Sequence, residues 1–337
     1  MSFELFVEVM RNEVVESRHF GVAAVCDFEG NLLHSWGDVE QNIFVRSAIK
    51  PMLAIDVVQS GAAEHFQLSD QELALACASH QGESIHQNVV KGWLNRLGLG
   101  THDLICGEAW PDDVASVHKI IRAGKQSCRI HHNCSGKHAA YLTNALHLGL
   151  PIDTYQQMDH PLQKRSLEIL SDLTQVDVSQ NPFGIDGCGL PAPTIPLKSF
   201  AHGVARFAKP VDFESARTQA IYRLHRAMTA HPLLCAGNGN IVSDICAVTK
   251  GAVLPKTGAE GVLIAAIPER GIGVVLKIAD GSPRSRGVAL LAILNHLGVL
   301  SSAQKNQLSE QMKPKIRNSR HEIVGLMRPS DKWLFKS

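Results

Sequence analysis

Apolar and polar residues alternate from Leu5 to Val9, the period-2 pattern of a half-buried strand. A continuous apolar run from Gly21 to Phe28 stops at Glu29-Gly30-Asn31, a hairpin signal, and Leu32 to Ser35 reads as the returning strand. The period then lengthens. Ser47 to Val58 carries apolar residues at helical spacing, with Pro51 in the first turn, where a missing N–H is tolerated. Ser69 caps a predicted helix from Asp70 to Ala78, with Glu72 three residues on as in a capping box. Further helices are predicted over about 83–97, 113–123, 136–148, 160–173, 197–208 and 213–229. Strands return over Ile241 to Val248, Gly261 to Ile267 and Ile272 to Ile278, which are short, rich in β-branched residues and bounded by turn residues. Ser285 to Leu297 reads as a long apolar helix, and His321 to Leu326 as a last strand.

Strands at both ends with helices between them predict an α+β fold, one antiparallel sheet built from both termini and flanked by helices. The expected organisation is a single catalytic unit over 1–337, its sheet portion about 1–60 and 240–337 and its helical portion about 61–239. With 33 basic and 32 acidic residues the net charge is +1, so no global field attracts nucleic acid or an anionic membrane. Aromatic residues make up 5%, too few for a base-stacking platform. No stretch approaches the ~20 apolar residues of a membrane span, and no basic segment followed by an apolar run opens the chain. The eight cysteines lack disulfide-framework spacing. A cytoplasmic protein with free thiols is the expectation.

Three stretches carry candidate chemistry. Ser47-x-x-Lys50 opens the predicted apolar helix, and Lys256-Thr257-Gly258 precedes a predicted strand much later. That order is the pattern of serine acyl-enzymes whose base is a lysine. The same spacing recurs at Ser116/Lys119 and Ser302/Lys305, but there on polar helix faces. At Ser47 the backbone N–H would stand at a helix start, where an oxyanion is stabilised, and one helical turn would put the Lys50 amine beside the hydroxyl. Ser79-His80-Gln81-Gly82-Glu83 closes an apolar helix. It reads either as a helix end with a dipole-complementing histidine or as a second active-site serine. His131-His132-Asn133-Cys134-Ser135-Gly136-Lys137-His138 is a dense His/Cys run, and Cys188 lies in the glycine-rich Asp186-Gly187-Cys188-Gly189. Two thiolates with nitrogen or oxygen ligands suit Zn²⁺. No C-x-x-C pair occurs, however, and from the residues alone Cys134 and Cys188 read as unliganded thiols.

Together these stretches resemble the rhizobial-type L-asparaginases, the class 3 or asparaginase II family. The resemblance runs from Arg46-Ser47-Ala48-Ile49-Lys50-Pro51 through Ala78-Ser79-His80, Asn133 to His138, Asp186 to Gly189 and Met228 to Pro232, to Lys256-Thr257-Gly258-Ala259-Glu260-Gly261 and Ala279-Asp280-Gly281. It implies a fold like the serine β-lactamases and serine-dependent glutaminases, a homodimer, and hydrolysis of L-asparagine to L-aspartate and ammonia. It implies two Ser-Lys tandems, Ser47–Lys50 and Ser79–Lys256, and a zinc site of Cys134, Lys137 and Cys188. Asp186 and His138 match positions near that metal, and Cys246 matches a third cysteine. In the implied reaction Ser47 is the nucleophile, neutral Lys50 the base aided by Lys256, and Ser79 a proton relay. Arg46, His80, Glu260 and Asp186 are the substrate-binding candidates. Two alternatives stand beside this. One is another serine amidohydrolase of the same fold, a glutaminase or β-lactamase; the other is a non-catalytic zinc-binding sensor of amino acids.

Overall fold

The computed structural model describes residues 2–331 and Trp333. The chain forms two compact units, one of residues 1–48, 195–209 and 244–337, the other of 49–194 and 210–243.

The first unit is built on an antiparallel sheet. Its order is Lys315–Arg317, Ile323–Pro329, Glu4–Arg11, Val14–Asp27, Ile272–Ile278, Val262–Ile267 and Leu254–Thr257, with Leu32–Trp36 pairing to Val14–Asp27. The sheet is thus assembled from both ends of the chain, as the pattern predicted. Its centre does not alternate, because both faces are covered: Val22, Ala23, Ala24, Val25 and Cys26 are all 0% exposed. The strand Val14–Asp27 begins well before the predicted apolar run, since its first half is largely solvated and carries polar residues such as Glu16 and Arg18. Helix Leu197–Ala208 packs on the sheet at Gly273, where a Cβ would lie 2.3 Å from both Ala201 O and Ala205 N. This helix belongs with the sheet although its sequence falls inside the predicted helical stretch. Helix Pro283–His296, expected as Ser285 to Leu297, completes the unit.

The second unit is helical and centres on Ser135–Leu148. Every residue of that helix from Ser135 to Ala145 is buried, so it has no amphipathic stripe and is surrounded on all sides. Gly136 lets it approach helix Asp70–Ala76 closely: a Cβ there would stand 2.3 Å from Leu75 O. Trp93 Nε1 donates to Thr143 Oγ1 at 2.9 Å from helix Ser84–Arg96. Asp56 is a buried carboxylate compensated on two sides. Arg165 Nη2 donates to it at 2.6 Å and Asn144 Nδ2 at 2.8 Å, so its charge is paired rather than stranded. The capping box predicted at Ser69 and Glu72 is present, with both hydrogen bonds made.

Two predicted elements differ. Ile241 to Val248 is a helix, not a strand. Its apolar residues at 241, 242, 245 and 246 fit a helical period as well as a buried strand. The Asn240 side chain decides the outcome by accepting from Val242 N at 3.1 Å, which starts the helix. The predicted helix Ser47 to Val58 is three short pieces: a 3₁₀ turn Arg46–Ile49, then Lys50–Leu53 and Ile55–Gln59. Pro51 stands in the first turn of Lys50–Leu53, where its missing N–H is tolerated. No helix among the described residues is long and apolar enough to cross a membrane.

The two glycine environments give opposite expectations. Gly136→Ala must move the Leu75 backbone or the central helix and is expected to cost about 1–3 kcal/mol. Gly92→Ala, inside Ser84–Arg96 with nothing within 4 Å of the added carbon, is expected to stabilise by up to about 1 kcal/mol. Urea unfolding of the two variants checks this, and equal effects would contradict it.

Candidate active site

In the helical unit the buried Lys50 amine is the meeting point. Its Nζ donates to Ala78 O at 2.7 Å and Asn133 O at 3.3 Å and lies 2.9 Å from Ser79 Oγ. Helix Asp70–Ala76 ends just before Ala78 and Ser79, so its terminus delivers both contacts. Two carbonyls use two of the amine's hydrogens. The amine's third direction is taken up by the Ser79 hydroxyl. Ser79 itself is half-buried.

The thiol cluster lies in the same unit. Lys137, in the first turn of Ser135–Leu148, donates from Nζ to Cys188 Sγ at 3.0 Å. Cys134 Sγ lies 3.1 Å from the Asn133 side-chain amide. The Cys188 thiol donates to Cys134 and, against the effect of burial, holds its pKa well below the usual thiol range; Lys50 and Lys137 add to this. Cys188 is correspondingly pushed up by Cys134 and by burial. Burial alone would lower Lys137, but the two sulfurs outweigh it and keep the amine charged. The two thiols and the amine are therefore electrostatically coupled. Asp186 stands at the turn before Cys188, accepting from Gly187 N at 2.8 Å, and adds negative charge toward Lys137.

His138 Nδ1 is 2.6 Å from Tyr155 OH, while its buried Nε2 has no hydrogen-bond partner among the described residues. His80 is different, because both of its ring nitrogens are engaged within the protein. Nδ1 accepts from Gly82 N at 3.0 Å, so the proton sits on Nε2, which donates to Ser135 Oγ at 2.8 Å; Ser135 passes its own proton to Ile130 O at 3.1 Å. At 1% exposure His80 fixes the loop after Ser79, and the geometry offers no ring nitrogen to a substrate.

The sheet unit holds the remaining candidates. Ser47 lies in the 3₁₀ turn Arg46–Ile49, immediately after Arg46, whose φ is +50°. Lys256 is buried on the edge strand Leu254–Thr257 and donates to Thr257 O at 2.6 Å. The turn that follows contains Glu260 at φ +56°. Left-handed backbone at a non-glycine residue costs of order 1 kcal/mol or more and persists only when its surroundings impose it. At Glu260 the constraint is Lys277, whose Nζ donates to Glu260 O at 2.5 Å. The Glu260 carboxylate rests over Gly281, where a Cβ would come within 2.5 Å of Oε2. Val45 O approaches Gly258 at the site of a missing Cβ, at 3.0 Å, so the turn that bears Ser47 lies against the K-T-G segment. Cys246 is on helix Ile241–Val248, its thiol pushed up to about 11 by burial.

The sequence profile described as L-asparaginase II matches residues 7–329. The chain belongs to the L-asparaginase II family. No curated protein matches it. Among solved structures it is similar to Mglu in its native form at 4.3 M NaCl, with 15% identity, a TM-score of 0.46, and 83% of this chain and 61% of that chain covered. It is similar to Mglu in its L-glutamate binding form at 16% identity, a TM-score of 0.45 and the same coverage. A beta-lactamase from Mycobacterium bovis aligns at 12% identity and a TM-score of 0.40, covering 87% of this chain and 95% of that one. The chain spans about three fifths of the length of Mglu.

Three residues of this L-asparaginase II chain gained importance only in the structure. Asn133 gives its backbone O to Lys50 and to His80 N, and its side chain to Cys134. Its place beside Cys134 was the available signal. Cys106 is electrostatically coupled to Cys134 and Lys137, its thiol pushed up to about 12 by burial and by Cys134. Tyr155 orients His138 while accepting from Ile105 N at 3.0 Å. Neither has a nearby motif to mark it.

Burial and the stacked His86 ring at 4.9 Å push the His80 pKa well below the ordinary value. Unfolded, His80 takes a proton below about pH 6.5, whereas folded His80 does not. Its contribution is therefore complete above that pH and is lost as pH falls, at up to about 1.4 kcal/mol per pH unit until the folded pKa is reached. Unfolding free energies between about pH 7.5 and 5.5 should fall more steeply for the wild type than for His80→Gln. Parallel curves would rule out a buried neutral His80.

Proposed function

We propose that this protein is an L-asparaginase that hydrolyses L-asparagine to L-aspartate and ammonia through a serine acyl-enzyme with lysine as the base. The observation that carries the reading is the buried Lys50 amine within 2.9 Å of Ser79 Oγ, three residues after Ser47 in a chain of the L-asparaginase II family. Ser47 Oγ attacks the side-chain carboxamide carbon and gives its proton to neutral Lys50. Backbone N–H groups of the Ser47 turn hold the oxyanion. The tetrahedral adduct collapses with loss of ammonia, which takes the proton back through Ser79, and Lys256 supplies positive charge. Water then attacks the β-aspartyl ester, giving its proton to the same relay and releasing aspartate and Ser47. Arg46, Glu260 and Asp186 are proposed to hold the amino-acid head group. His80 is proposed to position the Ser79 loop rather than to touch substrate.

The direct Lys50–Ser79 contact favours a second reading in which Ser79 is acylated and Ser47 assists. The variants separate the two. Under the first reading, Ser47→Ala should reduce ammonia release by at least about 10⁴-fold and Ser79→Ala by about 10²–10³-fold. Peptide mapping of enzyme quenched during turnover should find the β-aspartyl ester on Ser47. An ester on Ser79 establishes the second reading, and ammonia release at wild-type rate from both variants ends both.

Cys134, Lys137 and Cys188 fit a borderline-soft divalent ion such as Zn²⁺, because two sulfurs and an amine converge in a buried cluster. Among the described residues no three of His, Cys, Asp or Glu form such a set, and the proposed third donor is the Lys137 amine. Bound Zn²⁺ would supply a Lewis-acid anchor that shapes the pocket. The chain's own part is to release the cluster's protons on loading. Cys134→Ser or Cys188→Ser should release the metal, measured by elemental analysis, and raise KM more than they lower kcat. Stoichiometric zinc in the double variant would place the ligands elsewhere. A fall in kcat at constant KM would mean that the metal takes part in the chemical step.

A further inference from the structure

Arg286, in the first turn of helix Pro283–His296, has no part in the reaction as written. Its Nη1 donates to Gly258 O at 2.8 Å, in the middle of the K-T-G turn. The neighbouring Arg284 is well occupied, donating from Nε to His19 Nε2 at 2.9 Å and from Nη2 to Ser17 Oγ at 3.1 Å. Among the described residues Arg286 has that single carbonyl. Among the described residues no carboxylate pairs with it: Asp280 is bound to His19 at 2.7 Å, and the Glu260 carboxylate rests over Gly281. Burial lowers its pKa with no opposing acid. The helix turn it occupies holds no acidic residue either, and a cation is disfavoured at that end of a helix. A half-buried guanidinium with most of its five donors unspent is costly unless an anion completes it.

Its location says which anion. Gly258 is the residue that Val45 O touches beside the Ser47 turn, so Arg286 is fixed to the segment that borders the proposed nucleophile, all within the sheet unit. We propose that Arg286 binds the α-carboxylate of the amino-acid substrate. The planar guanidinium, held at one corner by Gly258 O, presents its remaining N–H edge to a carboxylate in bidentate fashion. The Glu260 carboxylate on the same turn is left for the α-ammonium group. This deepens the asparaginase reading and rests on it.

The test compares L-asparagine with 3-aminopropanamide, the same amide without the α-carboxylate, in wild type, Arg286→Gln and Arg286→Lys. For asparagine, Arg286→Gln should raise KM on the order of 100-fold with a much smaller change in kcat, and Arg286→Lys on the order of 10-fold. Turnover of 3-aminopropanamide, poor in the wild type, should not change. Calorimetry should show L-aspartate binding to the wild type and lost in Arg286→Gln, with β-alanine bound weakly by both. Equal losses on both amides, or L-aspartate bound equally by wild type and Arg286→Gln, would overturn the proposal, as would a wild type that binds no L-aspartate. Arg286→Lys keeps the charge, so a variant that merely misfolds is distinguished. A wild type that binds L-aspartate through Arg286 but releases no ammonia from asparagine would refute the activity and leave the carboxylate site standing.

Discussion

The helical unit depends on one buried amine. Lys50 can be buried because Ala78 O, Asn133 O and Ser79 Oγ converge on it; without them an ammonium or amine at 1% exposure would be strongly unfavourable. Those three groups come from a helix end and from the loop before the central helix, so satisfying one nitrogen fixes two segments far apart in sequence. Asn133 extends the constraint, since the same residue whose carbonyl meets Lys50 reaches Cys134 through its side chain. The Lys50 amine and the thiol cluster are thereby placed relative to each other by one residue.

The sheet unit meets a different requirement. Its segment around the K-T-G motif is shaped by missing side-chain atoms and unusual backbone angles. Gly258 leaves room for Val45 O, Gly281 leaves room for the Glu260 carboxylate, and Arg46 and Glu260 hold left-handed angles beside the motif residues. Strain of this kind is tolerated where the scaffold is rigid, and central strands with 0% exposed residues provide that rigidity.

Local signals in the sequence carried the elements whose boundaries are set locally. The Ser69/Glu72 box is a short-range device and is present as read. The helices from Ser84 to Ala230 lie within a residue or two of their predicted bounds. Ile241 to Val248 is a helix where a strand is predicted because a short apolar run fits both periods, and the deciding group, Asn240, acts from outside it. For the site, the motifs named Ser79, Lys50, Lys137 and Cys188, whose contacts the structure provides. They gave no hint of Cys106 or Tyr155, whose relevance depends on which loops the fold brings to the central helix. His80 shows the converse: a motif residue has both ring nitrogens engaged within the protein.

The central helix, buried without interruption from Ser135 to Ala145, has a kinetic consequence for the cluster at its start. With no solvated face it cannot fray from one side, and its opening requires the surrounding helices to separate as a cooperative unit. Cys134 and Lys137, at 3% and 4% exposure, therefore meet outside reagents only during such openings. The rate at which alkylating agents, oxidants or metal ions react with them is scaled by how often the unit opens as well as by the intrinsic reactivity of the groups themselves.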